Sequence, residues 1–415
     1  MSANRPNRGA PLGPASGRTT IKKTMASNQV TAASIDTPSA PRVSVIMPSY
    51  NHARYIRSAI ESVLAQTFKD LELLVSDDGS IDDTSNVVAQ ISDPRLSFVA
   101  NPFNRGAGIV TNELIARARG EFIALLNSDD EWVADKLERQ VRMLDEDPSL
   151  AACFTRAQWI DSEGKALGDD QVEYGDVFNK ENRSQAMWLR WFFFSGNCLC
   201  HPSVLIRKDC YDVLGDYDNR LRQLPDFEMW VRLVKRWPIH IMSERLLRFR
   251  ILPGENASSP TLKNARRGNN ETFFILSKFF DDVSPELLKE GFGDLLRDPN
   301  AVGESSIGAE KALLYFSPGL GNPRIYGLVG TAALHRLLGA GVDPSELKQK
   351  YGIDDRFFQE VTGDLDTFTN VVTAQPSLLG RLPNSVREGL SPYTARELIV
   401  EFAIRVVRRL SGRRT

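Results

Sequence analysis

The stretch Gly120-Glu121-Phe122-Ile123-Ala124-Leu125-Leu126-Asn127-Ser128-Asp129-Asp130-Glu131-Trp132 runs from a short apolar segment straight into two adjacent carboxylates. Such a segment, opened by a glycine, reads as a buried strand. Carboxylate oxygens where a strand ends are hard ligands suited to Mg²⁺ or Mn²⁺, and a divalent ion held there neutralises a diphosphate. Asp129 and Asp130 would serve equally well as caps of a helix beginning near Ala134, since Asp is favoured where helices start. The rest of the N-terminal half weighs between these two readings.

Toward the N-terminus, Val43-Ser44-Val45-Ile46-Met47 is a second apolar run, stopped by Pro48. Ile56, Ile60, Val63, Leu64 and Phe68 recur at helical spacing over residues 52–68. Strand 71–75, turn 76–80, helix 83–91, strand 96–99, helix 109–119 and strand 121–126 follow in order. Strand and helix alternate, which predicts an α/β fold: a mostly parallel sheet flanked by helices, with ligands gathering at the C-terminal ends of the strands. Pro48-Ser49-Tyr50-Asn51, Asp77-Asp78 and Asp129-Asp130 all fall at such ends. Their common edge makes them one candidate site.

After Pro148 the pattern changes. Residues 151–155 and 158–160 read as strands leading into the turn Asp161-Ser162-Glu163-Gly164, and 184–194 as an aromatic helix. His201-Pro202-Ser203-Val204-Leu205-Ile206 reads as a strand. Residues 226–236 form a helix with Trp230, Leu233, Val234 and Trp237 inward. Leu246-Leu247-Arg248-Phe249-Arg250-Ile251 alternates in part, as an edge strand does, and Asn256-Ala257-Ser258-Ser259-Pro260 closes the unit. Helices dominate beyond it.

At 415 residues the chain is too long for one ordinary core. It divides into a disordered tail (1–40), an α/β domain (41–260) and a helical C-terminal region (261–415). A net charge of -2 argues against bulk nucleic-acid binding. Cys153, Cys198, Cys200 and Cys210 lack CxxC spacing and nearby histidines, so reduced core thiols of a cytoplasmic protein are expected, not a zinc site. No apolar run approaches the roughly 20 residues needed to span a bilayer. The first forty residues are rich in Ser, Ala and Pro and carry Arg5, Arg8, Arg18, Lys22 and Lys23 without an apolar core, unlike a secretory signal. Residues 398–410, with Arg405, Arg408 and Arg409, pattern as a basic amphipathic helix. Such a helix suits peripheral contact with the inner face of a membrane, and docking on its own domain is the simpler alternative.

The ordered motifs Val43-Ser44-Val45-Ile46-Met47-Pro48-Ser49-Tyr50-Asn51, Ala59-Ile60-Glu61-Ser62-Val63-Leu64-Ala65-Gln66-Thr67-Phe68, Ser76-Asp77-Asp78-Gly79-Ser80 and Gly120 through Asp130 resemble glycosyltransferase family 2, nucleotide-sugar-dependent enzymes of GT-A fold. Leu224-Pro225-Asp226-Phe227-Glu228-Met229-Trp230 is similar to the acid-containing helix start of that family. The resemblance covers about residues 41–260. It implies that Pro48 and Tyr50 line the base pocket, with Asp78 accepting a hydrogen bond from the base and Asp77 holding the turn at Gly79. It further implies that Asp129 meets the ribose or the metal's water shell, that Asp130 binds Mn²⁺ or Mg²⁺ bridging the phosphates, and that Asp226 is the catalytic base.

The implied activity is inverting transfer of a sugar from a nucleotide diphosphate sugar donor to a hydroxyl acceptor, a glycan or lipid-linked glycan, in polysaccharide or glycoconjugate synthesis. The chemistry suits these residue types, because a cation disperses charge on the leaving diphosphate and a carboxylate takes the acceptor proton. Two departures stand out: Asn127 where many relatives carry Asp, and Thr111 before Asn112 where many carry Arg. Arg105 and Arg117 are the candidates to replace that missing guanidinium. The alternative is a catalytically silent GT-A module that binds a nucleotide sugar or a protein partner. His52 and His201 are further candidates for substrate contact. Trp188, Trp191, Phe192, Phe193 and Phe194 supply either a sugar-stacking surface or a packed core. Arg248 and Arg250 are expected at the surface.

Overall fold

The structure, a computed structural model, describes residues 40–254, 261–340 and 344–365. The described elements belong to one unit, which begins at Pro41. The tail reading, the closing loop 256–260 and the basic helix 398–410 lie outside the described residues, Ala40 aside.

The expected alternation is present as β1 (Val43–Ser49), α1 (Ile56–Leu64), β2 (Leu71–Asp77), α2 (Thr84–Ala89), β3 (Leu96–Ala100), α3 (Ala107–Arg117) and β4 (Phe122–Leu125). Next come β5 (Glu131–Trp132), α4 (Lys136–Glu146), β6 (Ala152–Ile160), α5 (Gln185–Ser195), β7 (Leu205–Arg207), α6 (Asp209–Leu214), α7 (Pro225–Val234) and β8 (Ile239–Arg250). All eight strands form one sheet in the order β3-β2-β1-β4-β7-β6-β8-β5. Strands β1 to β4 pair in parallel, β7 runs antiparallel to both β4 and β6, and β8 is parallel to β6 and antiparallel to β5.

Successive side chains of a strand leave opposite faces, so a sheet covered on both sides needs apolar residues at nearly every position. Val43, Val45 and Met47 accordingly join one core with α1 and α4 residues, while Ile46 joins another with residues of α3, α5 and α7. Ser44 and Glu72 are polar exceptions, and they satisfy each other: Ser44 Oγ donates to Glu72 Oε1 at 2.6 Å, and Arg119 pairs with the same carboxylate.

Several expectations need correction. Strand β1 continues through Pro48 to Ser49. Ile46 faces β4, where its carbonyl accepts Leu126 N–H, and Ser49 faces β2, where its carbonyl accepts Asp78 N–H. Pro48 shares the side of Ile46, but β4 pairing ends at Ile46–Leu125, so the missing proline donor interrupts nothing. The two strands expected at 151–160 are one strand, β6, whose register shifts at Thr155, Arg156 and Ala157 against β8. The expected strand at 201–206 begins only at Leu205, since His201–Ser203 is a 3₁₀ turn around Pro202. Strand β8 is not an edge, because β5 pairs with its far side.

Beyond residue 260 the described chain is helical: α8 (Leu262–Ser277), α9 (Pro285–Phe292), α10 (Glu304–Leu314), α11 (Pro323–Gly339) and a last helix, Asp355–Asp364. Ser284 and Asn322 cap α9 and α11, each followed by a proline at the first helical position, where no backbone donor is needed. Phe193 of α5 joins these helices to the sheet. Its ring centroid lies 5.2, 4.9, 5.7, 5.5 and 5.3 Å from those of Phe279, Phe280, Phe292, Tyr315 and Tyr326.

Candidate active site

Parallel register brings the ends of β1, β2 and β4 to one edge, with Ser49 opposite Asp77 and Ile46 opposite Leu125. The loops leaving this edge are tied together. Asn51 adopts φ 56, donates its N–H to Ser80 Oγ at 2.7 Å and accepts Ile81 N–H at Oδ1. His52 and Ala53 donate their N–H groups to Thr84 Oγ1 and Asp82 Oδ2. Tyr50 is left 42% exposed at the rim, with Pro48 half-buried behind it.

Asp77 bonds Ser80 through both its hydroxyl and its N–H, which fixes the turn. Gly79 sits there at φ +73 against the backbone of Phe103 and Asn104, where a Cβ would collide. Asp78 turns the other way: Oδ1 and Oδ2 accept the N–H groups of Arg105 and Gly106, each at 2.8 Å. A carboxylate offers about four lone-pair sites, so acceptor capacity remains for a ligand. Arg105 itself is committed to Glu113 and Asn101, Arg117 to Ser97, and Asn112 to Tyr217 and Asn219.

Asp129 and Asp130 do not cap a helix. Strand β5 follows them, and the residue preceding α4 is Asp135. Both carboxylates are buried, 7% and 1% exposed. Burial pushes both carboxyl pKa values up, Asp130 well above its ordinary range, where the neighbouring Asp129 charge adds to the effect. Asp130 Oδ1 accepts Arg250 N–H at 2.8 Å and Oδ2 accepts Asn127 Nδ2 at 3.0 Å. Ser128 Oγ lies 2.7 Å from His52 Nδ1, which joins the β4 loop to the β1 loop.

Arg250 is the main correction to the surface expectation, being 3% exposed. Its Nε donates to the Asp129 carbonyl at 2.7 Å, its Nη2 pairs with Glu131 at 2.7 Å, its Nη1 donates to the Asp161 carbonyl, and its guanidinium lies 4.8 Å over the Tyr55 ring. Arg248 joins it on Glu131 at 2.5 Å. Sequence reading missed this cluster because the β5–β8 pairing that sets Glu131 opposite Arg248 involves only two residues of β5. The spacing of Arg248 and Arg250, two apart on one strand face, was the available signal.

Asp226 sits in the first turn of α7, whose N-cap is Leu224. Its Oδ2 accepts Asn197 Nδ2 at 2.8 Å. Burial raises its pKa, and the nearby His201 partly offsets this. His201 is pushed down by burial, and its Nε2 lies 3.0 Å from Tyr217 Oη. The buried Cys200 thiol, raised by burial, feels both the Asp130 and Asp226 charges, and Trp132 Nε1 donates to the Pro202 carbonyl. Asp130 and Asp226 are therefore both within electrostatic reach of Cys200. Asn197 carried no sequence signal as a partner of Asp226.

Lys136 is also fully buried, with Nζ donating to Gln140 Oε1 at 2.7 Å and lying 3.9 Å over the Trp132 ring. Burial lowers its pKa to about 7. All four cysteines are buried free thiols, as expected. Among the described residues no helix is long and apolar enough to cross a membrane. Of the aromatic group, Trp188, Phe192 and Phe193 are core, whereas Trp191 and Phe194 line a surface groove.

Among the described residues no set of three His, Cys, Asp or Glu side chains forms a metal cage. A closed cage is not what Mg²⁺ or Mn²⁺ requires beside a diphosphate, because such ions take one or two carboxylates plus phosphate oxygens and water. Asp129 and Asp130 are adjacent buried carboxylates of that kind. Their raised pKa values reflect buried charge that a cation would offset, so the residues fit the ion.

Comparison with known proteins bears on the family and the fold. A profile described as glycosyl transferase family 2 matches residues 44–208. The putative teichuronic acid biosynthesis glycosyltransferase TuaG of Bacillus subtilis is 39% identical over 243 residues, spanning 57% of this chain and 87% of TuaG. Chondroitin synthase of Escherichia coli is 29% identical over 221 residues, 52% of this chain but 30% of that enzyme. The fold matches that of S. aureus TarS 1-349 in complex with UDP-GlcNAc with a TM-score of 0.50 at 16% identity, over 79% of this chain and 89% of that one. With the ordered strand-end motifs and the relative matched over nearly its whole length, this chain belongs to glycosyl transferase family 2.

Proposed function

We propose that the protein is an inverting, metal-dependent glycosyltransferase that moves a sugar from a nucleotide diphosphate sugar to an acceptor hydroxyl of a glycan or lipid-linked glycan. The observation that carries this reading is that Asp130 and Asp226 both lie within electrostatic reach of Cys200. In this reading the donor lies along the strand-end edge, its base between Pro48, Tyr50 and Asp78 and its diphosphate beside Asp129 and Asp130. Mn²⁺ or Mg²⁺, when bound to those carboxylates, disperses the charge that develops on the leaving diphosphate.

Of the pair, Asp130 is anchored by Arg250 N–H and Asn127, while Asp129 is the more exposed. We therefore expect the two to act together at the ion and not singly. Asp226 takes the acceptor proton as the hydroxyl attacks, and its raised pKa makes it a better base than an ordinary carboxylate. Asn197 and the α7 N-terminus favour its ionised form. His201 adds to this through its proximity. Polysaccharide synthesis is supported by the names of TuaG and chondroitin synthase.

A melting-temperature panel of UDP, GDP and TDP with and without Mn²⁺ tests the donor reading, since a bound nucleotide raises the midpoint by mass action. Donor turnover that disappears in Asp226→Asn while the nucleotide shift persists supports the enzyme. Nucleotide binding without turnover over a broad acceptor panel would favour the silent module instead.

A further inference from the structure

The face of α5 opposite its buried Trp188, Phe192 and Phe193 is not covered by the sheet. Met187, Trp191, Phe194 and Ser195 line a groove of about 340 Å³ with Arg183 and Leu295. That volume lies at the lower end of small-molecule sites, about 300 to 1,000 Å³. Its walls combine an indole, a benzyl ring and a thioether, 43% exposed at Met187, with two guanidinium groups.

The two arginines differ. Arg190 is neutralised by Asp294 and also donates to the Gly291 carbonyl. Arg183 stacks over Trp191 and Trp188, at 4.1 and 4.8 Å from their ring centres, and donates to the Glu181 carbonyl. Among the described residues no carboxylate pairs with it. A guanidinium fixed by stacking and lacking an acid partner is set to receive a carboxylate from elsewhere, and flat apolar walls suit the faces of sugar rings.

The groove is tied to the candidate site through the chain. Ser195 lines it, and Asn197, two residues on and so within about 7 Å of chain, holds the Asp226 carboxylate. We propose that this groove is an acceptor subsite for an anionic saccharide, with a sugar carboxylate on Arg183 and ring faces against Trp191 and Met187. The inference rests on the assignment of Asp226 as the base.

Intrinsic fluorescence titration with a galacturonic acid trimer and the neutral galactose trimer tests it on the full chain. Wild type should bind the acidic trimer at least roughly tenfold tighter than the neutral one, the size of one charge-assisted hydrogen bond. Arg183→Met should abolish that preference and Arg183→Lys should keep part of it, with the UDP melting shift in Mn²⁺ unchanged in both as the check on folding. Equal affinity for the two trimers in wild type, or an undiminished preference in Arg183→Met, overturns the subsite. Loss of every nucleotide shift with the acidic preference intact would instead sink the donor reading and leave the groove as a saccharide site.

Discussion

The backbone N–H of Arg250 donates to Asp130 Oδ1 at 2.8 Å, while the guanidinium Nε of the same residue donates to the Asp129 carbonyl at 2.7 Å. One residue at the end of β8 thus fixes the carboxylate pair that leaves β4, 120 positions earlier in the chain. The strand-end edge is shaped by a strand that sequence order places far from it.

Arg250→Ala should lower stability by about 1 to 3 kcal/mol, because it leaves the Asp129 and Asp161 carbonyls without their donor and Glu131 with Arg248 as its remaining partner. Arg250→Lys should recover only part of this, since an ammonium cannot span Asp129, Asp161 and Glu131 together. Chemical denaturation measures it. A wild-type midpoint in Arg250→Ala would remove the clamp.

Asp226→Asn should reduce kcat by about 10² to 10⁴, the usual worth of a general base, and leave the nucleotide melting shift in place. Because burial raises the Asp226 pKa, the acid limb of kcat/KM should lie above the ordinary Asp value of about 3.9. Asn197 donates to the ionised form, so Asn197→Ala should move that limb to still higher pH. A limb that stays put in Asn197→Ala would argue that another group is the base.

Asn127→Asp would exchange the amide 3.0 Å from Asp130 Oδ2 for a third carboxylate. Without a divalent ion the variant should melt lower than wild type through like-charge repulsion. With Mn²⁺ its upward shift should exceed that of wild type, because an added oxygen ligand strengthens the site. Identical Mn²⁺ shifts in the two proteins would place the ion away from Asp130.

Lys136 provides a pH signature of the core. Its folded pKa is about 7 and its unfolded value about 10.4, so between these pH values the unfolded chain holds a proton the folded one lacks. This group therefore makes stability rise with pH across that window, by on the order of a few kcal/mol, and costs most below pH 7. Lys136→Met should flatten the rise in urea denaturation at pH 6, 8 and 10, offset at every pH by about 1 to 3 kcal/mol for the Gln140 oxygen left without its donor. A parallel rise in both proteins would mean the lysine stays charged when folded.

The strands and helices up to β4 were legible because each carries its own periodicity, and local pattern needs no partner to be read. Pro48, the 201–206 segment and β8 misled for the opposite reason. A proline's effect depends on which neighbour strand its missing N–H faces, and an edge is defined only by what lies beside it. The same holds at the site. Asp129 and Asp130 stand out in the sequence by their place at a strand end and Asp226 by the motif resemblance, whereas Arg250 and Asn197 meet Asp130 and Asp226 through contacts 120 and 29 residues away that no local pattern encodes.

Phe193 sets the terms on which this protein can be taken apart. Its ring sits among five aromatic neighbours from 279 to 326, so a chain cut near 260 would expose a ring whose burial is worth about 3 to 5 kcal/mol, together with the rest of that cluster. The α/β half is therefore not a cassette. A fragment or chimera meant to stay soluble must bring the helices through 339 with it or replace the aromatic face of α5 with polar residues.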